Sequence, residues 1–81
     1  MKAVIWSKDD CPQCENAIKM LENNSIDYEI KKLGTDWSKE DLLEIVPFAR
    51  SVPQIFFDDE YIGGVVDLKD YLTKIRGEYV S

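Results

Sequence analysis

The chain has no histidine, only two cysteines among its 81 residues, only three prolines and four glycines, and no long apolar run anywhere. With no histidine and no third cysteine, the two thiols either do disulfide chemistry with each other and a substrate, or form half of a site shared between chains. No stretch approaches the roughly 20 apolar residues of a membrane span. Lys2 is followed only by Ala3-Val4-Ile5-Trp6, too short for a secretion signal. A cytoplasmic protein without membrane contact is the expectation. Basic charge is also short: ten Lys and Arg face sixteen Asp and Glu, a net charge of −6. Such a balance argues against electrostatic capture of nucleic acid or anionic lipid and suits a soluble surface. No linker or repeat interrupts the chain, so residues 1–81 are taken as a single domain. At this size it buries only about 60% of its unfolded surface.

What remains has a clear order. Ala3-Val4-Ile5-Trp6 is a continuous apolar run that suits a short strand covered on both faces. From Pro12 to Asn24, Cys14, Ala17, Ile18 and Leu21 recur on one helical face, and proline is tolerated in the first turn. Ile26, Tyr28 and Ile30 then alternate with Asp27, Glu29 and Lys31 in strand period. Ser38 and Asp41 form a capping box, with Trp37 placed to staple onto Leu42. Leu42, Leu43, Ile45 and Val46 carry that second helix inward until Pro47 stops it. Gln54-Ile55-Phe56-Phe57 and Glu60-Tyr61-Ile62 read as a hairpin around Asp58-Asp59, and Gly63-Gly64 breaks its second strand. Asp67 is expected to open a third helix, in which Leu68, Tyr71, Leu72 and Ile75 keep helical spacing. Strand, helix, strand, helix, strand, strand, helix predicts an α/β domain with a four-stranded mixed sheet flanked by three helices. This β-α-β-α-β-β-α order is the minimal thioredoxin-like fold.

Cys11-Pro12-Gln13-Cys14 sits where the first helix begins. The unpaired N–H groups and positive dipole end there favour an anion, so Cys11 is expected to be the attacking thiolate. Cys14 shares a face with Ala17, Ile18 and Leu21, so it is expected to be more sheltered and to act as the resolving thiol. In a reducing compartment such a pair is catalytic or metal-binding rather than a structural staple. The competing interpretations are a zinc half-site or an iron–sulfur cluster shared between two chains. No metal site is expected from this chain's own side chains. Trp6, Phe56 and Phe57 are assigned to the core or sheet and Met20 to helix filling.

Three motifs in order, Cys11-Pro12-Gln13-Cys14, Ser51-Val52-Pro53-Gln54 and Gly63-Gly64-Val65-Val66-Asp67-Leu68, resemble those of the glutaredoxin family. That resemblance implies thiol–disulfide exchange on protein or glutathione mixed disulfides. It also implies glutathione as reductant and no tightly bound cofactor. It places Val52 where its backbone would pair with the cysteinyl unit of glutathione, and Pro53, in cis, opposite the reactive thiol. Gly64, Val66 and Asp67 would hold the γ-glutamyl end: backbone N–H groups of Val66 and Asp67 take its carboxylate, and the Asp67 side chain meets its ammonium. Lys8 would face the glycine carboxylate, with Arg50 a second candidate. Gln13 stands beside the thiols where the family often has tyrosine, and Val66 where it often has a polar or acidic residue. Gln13 also occurs in similar redoxins that thioredoxin reductase recycles and that feed ribonucleotide reductase. Those redoxins lack the Gly-Gly-x-x-Asp pattern that this chain keeps at Gly63 to Asp67, and the glutaredoxin resemblance implies glutathione and protein disulfides such as that of ribonucleotide reductase as partners, with the chain expected to be a monomer.

Overall fold

The computed structural model describes residues 2–76 and arranges them as β1 (Lys2–Ser7), α1 (Pro12–Asn23), β2 (Asp27–Lys32), α2 (Lys39–Ile45), β3 (Gln54–Phe57), β4 (Glu60–Gly63) and α3 (Val65–Arg76). The strands make one sheet in the order β2-β1-β3-β4, with β1 and β2 parallel and the other two neighbouring pairs antiparallel. This is the thioredoxin-like arrangement expected from the element order. β1 lies between two strands, so its residues face cover on both sides, and Ala3, Ile5 and Trp6 are at most 1% exposed.

Alternation along β1 splits the core in two. Ala3 and Ile5 join Ala17 and Leu21 of α1, Ile55 and Phe57 of β3, and Leu68 and Leu72 of α3 in one buried cluster. Trp6 points to the opposite face and packs with Leu42 and Val46 beneath α2. Leu42 and the C-cap residue Val46 are one turn apart, so the seven-residue helix and its cap bury a single row. Ile45 is rotated about 100° from Val46 and is 53% exposed, against the expectation that it points inward. Ile30 falls in β2 as its strand period predicts. It sits on edge strand β2 and is 41% exposed although its period matches Tyr28.

The local stop and start signals act as their chemistry demands. Ser38 accepts from the Asp41 N–H at 3.1 Å, while the Asp41 carboxylate accepts from the Ser38 N–H at 2.8 Å. Those bonds hold the Asp41 carboxyl below the usual carboxylate range. Trp37 rests edge-on against Trp6, with ring centroids 5.4 Å apart, and Lys31 covers its ring at 4.3 Å. Asp58 and Asp59 both adopt left-handed backbone, φ 49° and 72°, which closes the two-residue hairpin. One extra residue on β4 shifts the register, so that Phe56 faces Tyr61 but Ile55 faces Gly63.

α3 begins at Val65, two residues before the expected start at Asp67. The Asp67 carboxylate reaches back to accept from the Gly64 N–H at 3.1 Å, so Asp67 caps from within the first turn instead of preceding it. The side chain of Ile75, expected on the inner face of α3, lies outside the described residues. Leu21, fully buried on the helix that carries the thiols, gives a test of where stability resides. Leu21→Ala is expected to destabilise the protein by about 2–5 kcal/mol in a denaturant titration, whereas Ile45→Ala should change little.

Candidate active site

Cys11 precedes α1 in extended backbone, φ −123° and ψ 94°, and occupies the N-cap position with Pro12 directly after it. A serine or aspartate at such a position would offer its side-chain oxygen to the first turn. Here sulfur does so: the Cys14 N–H donates to the Cys11 Sγ at 3.2 Å. Cys11 and Cys14 are joined as a disulfide, their Cα atoms 5.2 Å apart. Cys14 is 2% exposed and Cys11 6%, so the expected contrast between an open and a sheltered sulfur is present but small.

The second wall of the site is the segment after Val46. Pro53 is buried and the Val52–Pro53 bond is cis, as the family likeness implies. The Val52 carbonyl oxygen lies 3.9 Å from the Cys11 Sγ. Once the sulfur is a thiol, that oxygen can accept its proton weakly. The third wall is the start of α3. Gly63 has φ +126°, a conformation closed to other residues, and a Cβ there would strike the Asp67 side chain. The N–H groups of Val65, Val66 and Asp67 occupy the first turn of α3 and so have no intrahelical partner.

A cavity of about 430 Å³ joins these walls, lined by Gln13, Val52, Pro53, Gly64, Val66 and Asp67 together with Ser51, Gln54, Tyr61 and Val65. Six of the residues singled out in the sequence thus face one groove beside the thiols. Val66 presents its side chain outward, 74% exposed. Lys8 is not in that groove. It lines a neighbouring cavity of about 230 Å³ with Lys39 and Arg50 over an apolar floor that includes Leu42 and Ala49. Ser51 and Val52 line both, so the two cavities meet at this segment. Asp9, adjacent to Lys8, pairs with Lys32 at 2.9 Å. Among the described residues Lys8, Lys39 and Arg50 make no ion pair, which leaves three cations around one cavity of an acidic protein.

Lys39 and Tyr61 were not singled out from the sequence. Lys39 reads there as a polar helix residue and Tyr61 as an ordinary strand residue. Only the approach of α2 and β4 to the segment around Val52 brings them to the site. Gln54 follows the motif proline directly, and its position in the quoted motif was its one signal.

A mixed four-stranded sheet with a C-x-x-C pair at the start of its first helix defines a thioredoxin-like thiol–disulfide oxidoreductase. The glutaredoxin family model matches residues 3–62, and the chain belongs to the glutaredoxin family. It is 30% identical over 73 residues to Glutaredoxin 3 of Escherichia coli strain K12, covering 90% of this chain and 86% of that one. The crystal structure of Glutaredoxin 1 from Francisella tularensis superposes with a TM-score of 0.80 at 28% identity, over 95% of this chain and 98% of the other. A buckwheat glutaredoxin–glutathione complex superposes with a TM-score of 0.73 at 25% identity, over 96% of this chain and 72% of that one.

The turn at Gly63 leads directly into the groove at Gly64. Gly63→Ala is expected to cost about 1–3 kcal/mol of stability, the penalty for a side chain in a glycine-only conformation. Denaturant titration measures it, and a cost near zero would contradict the turn described here.

Proposed function

We propose that the chain is a glutathione-dependent dithiol oxidoreductase in which Cys11 attacks and Cys14 resolves. The observation that carries this reading is the Cys14 N–H directed at the Cys11 sulfur at 3.2 Å. A thiolate in that place accepts a charge-assisted bond and sits at the positive end of α1, whereas Cys14 lies one turn inside the helix. In the forward half-reaction the Cys11 thiolate attacks one sulfur of a substrate disulfide, and the other sulfur leaves as a thiolate. Cys14 gives up its proton and attacks the Cys11 sulfur, which releases the second substrate thiolate and leaves Cys11 and Cys14 joined. The substrate gains two electrons. Two glutathione molecules reverse the oxidation: the first opens the disulfide to a mixed disulfide on Cys11 and frees Cys14 as a thiol, and the second attacks the glutathione sulfur of that mixed disulfide, which releases the Cys11 thiolate and forms glutathione disulfide.

The groove arrangement supports glutathione as the partner. An extended peptide laid along Val52 would exchange backbone hydrogen bonds with it like an added strand. Its γ-glutamyl carboxylate would reach the free N–H groups of Val66 and Asp67, and its ammonium the Asp67 carboxylate. Its glycine carboxylate would run toward the cavity where Lys8 stands with Lys39 and Arg50. Gln13 would border the sulfur. We further propose that the protein acts as a cytoplasmic monomer on protein disulfides, with ribonucleotide reductase as a candidate substrate.

A coupled assay with glutathione, glutathione reductase and a glutathionylated peptide tests the reading, and turnover well above the uncatalysed rate is expected. Regeneration by thioredoxin reductase but not by glutathione would overturn it. Cys11→Ser is expected to abolish activity. Cys14→Ser is expected to trap the mixed disulfide with a protein substrate, visible by mass spectrometry as an adduct on Cys11. Retention of activity by Cys11→Ser would reverse the two roles.

A further inference from the structure

Residues 46–53 connect α2 to β3 without regular structure, yet their last three residues form the wall facing the reactive sulfur. Something must hold that wall. The Gln54 side chain does so from the strand side. Its amide Nε2–H donates to the Ser51 carbonyl at 2.8 Å, and its Oε1 accepts from the Tyr61 hydroxyl at 2.6 Å. Gln54 is 8% exposed, so both ends of its amide are satisfied within the protein. Tyr61 takes hold of the same segment a second time through its ring, which meets Phe48 edge-on with centroids 5.7 Å apart. Phe56 braces that ring from β3 at 5.3 Å.

We infer that Tyr61 is a positioning residue whose hydroxyl, acting through Gln54, fixes the Ser51–Pro53 wall in the shape that receives the backbone of a glutathione mixed disulfide. The inference rests on the glutathione reading above and adds a residue to it from the hairpin edge. The geometry leaves the hydroxyl one role. It is the donor to Gln54, since the Gln54 amide nitrogen is already spent on Ser51. Partial burial and the nearby Asp67 charge push the Tyr61 hydroxyl above the ordinary phenol range, so it keeps its proton wherever the dithiol chemistry runs. Without this bond the Gln54 amide is free to turn, and the Ser51 carbonyl loses a fixed partner. Backbone pairing along Val52 would then have to order the segment at the moment of binding, which weakens binding without touching the sulfur chemistry.

Tyr61→Phe removes only the hydroxyl and keeps the contacts with Phe48 and Phe56. It is expected to raise KM for a glutathionylated peptide by about two- to tenfold, the worth of one hydrogen bond, with kcat changed less than about twofold. Backbone 15N order parameters at Ser51 and Val52 of the free protein should fall. Gln54→Leu should show the same pattern, and the double variant should be no worse than Gln54→Leu alone. Tyr28→Phe is the control, since it deletes a tyrosine hydrogen bond of similar length, to Glu22 at 2.7 Å, on an exposed part of β2. An unchanged KM in Tyr61→Phe, unchanged order parameters at Ser51 and Val52, or a fall in kcat that tracks a loss of thermal stability would each overturn the inference. If the wild-type protein itself lacks glutathione turnover, the proposed function fails, and the order parameters at Ser51 and Val52 alone decide whether Tyr61 holds the wall.

Discussion

A sulfur atom in the place of a helix cap is the interaction on which the site depends. α1 begins with N–H groups that no intrahelical carbonyl can satisfy, and the side chain just before Pro12 answers one of them. Because that side chain is Cys11, the structural need of the helix and the chemical need for a stabilised anion are met by the same contact. Proline at the first helical position is part of the same device. It has no N–H of its own to compete, and it sets the backbone for the turn in which Cys14 follows. The buried row Cys14, Ala17 and Leu21 then locks the helix to the sheet, so the sulfur is held by the core and not by a loop.

The remaining walls have a different origin. Val52 and Pro53 end an irregular segment, and Gly64 to Asp67 begin α3 just after a glycine with positive φ. β1, β3 and β4 are neighbours in the sheet, so the starts of α1, β3 and α3 come to one end of it. The charges divide between two cavities that share Ser51 and Val52: Asp67 lines one, and Lys8, Lys39 and Arg50 line the other. The glutathione proposed as partner, an extended zwitterionic peptide with a carboxylate at its far end, would match that division. A net charge of −6 would otherwise oppose such an anion, which gives the local cluster of cations its significance.

The sequence made the element order and the two thiols legible because period, caps and spacing are local properties. Ser38 with Asp41, and Asp58-Asp59 between apolar runs, announce their structures within four residues. The start of α3 was misplaced because Asp67 resembles a preceding cap, and only the backward bond to Gly64 shows that it acts from inside the first turn. Ile45 faces outward for a related reason. Periodicity identifies a face, but the shortness of α2 and the edge position of β2 decide whether anything covers it. Lys8 was separated from the other groove residues, and Lys39 joined it, by the packing of α2, which local pattern does not encode.

Stability and recognition are therefore carried by different parts of this small domain. The fully buried side chains lie mainly between the sheet and the helices α1 and α3, with a smaller group under α2, whereas the groove is shaped by side-chain hydrogen bonds from residues at its edge, Tyr61 to the buried Gln54 and Asp67 to Gly64. Such bonds contribute about 0.5–1.5 kcal/mol each, against several for a buried leucine. If the groove receives glutathione as proposed, changes at Gln54, Tyr61 or Asp67 would thus alter what it accepts while the fold survives. Changes at Ile5, Leu21 or Leu68 act on the fold and reach the thiols only through it. The cap at Cys11 is where the two meet, since the sulfur both closes the first turn of α1 and faces the Val52 carbonyl across the groove.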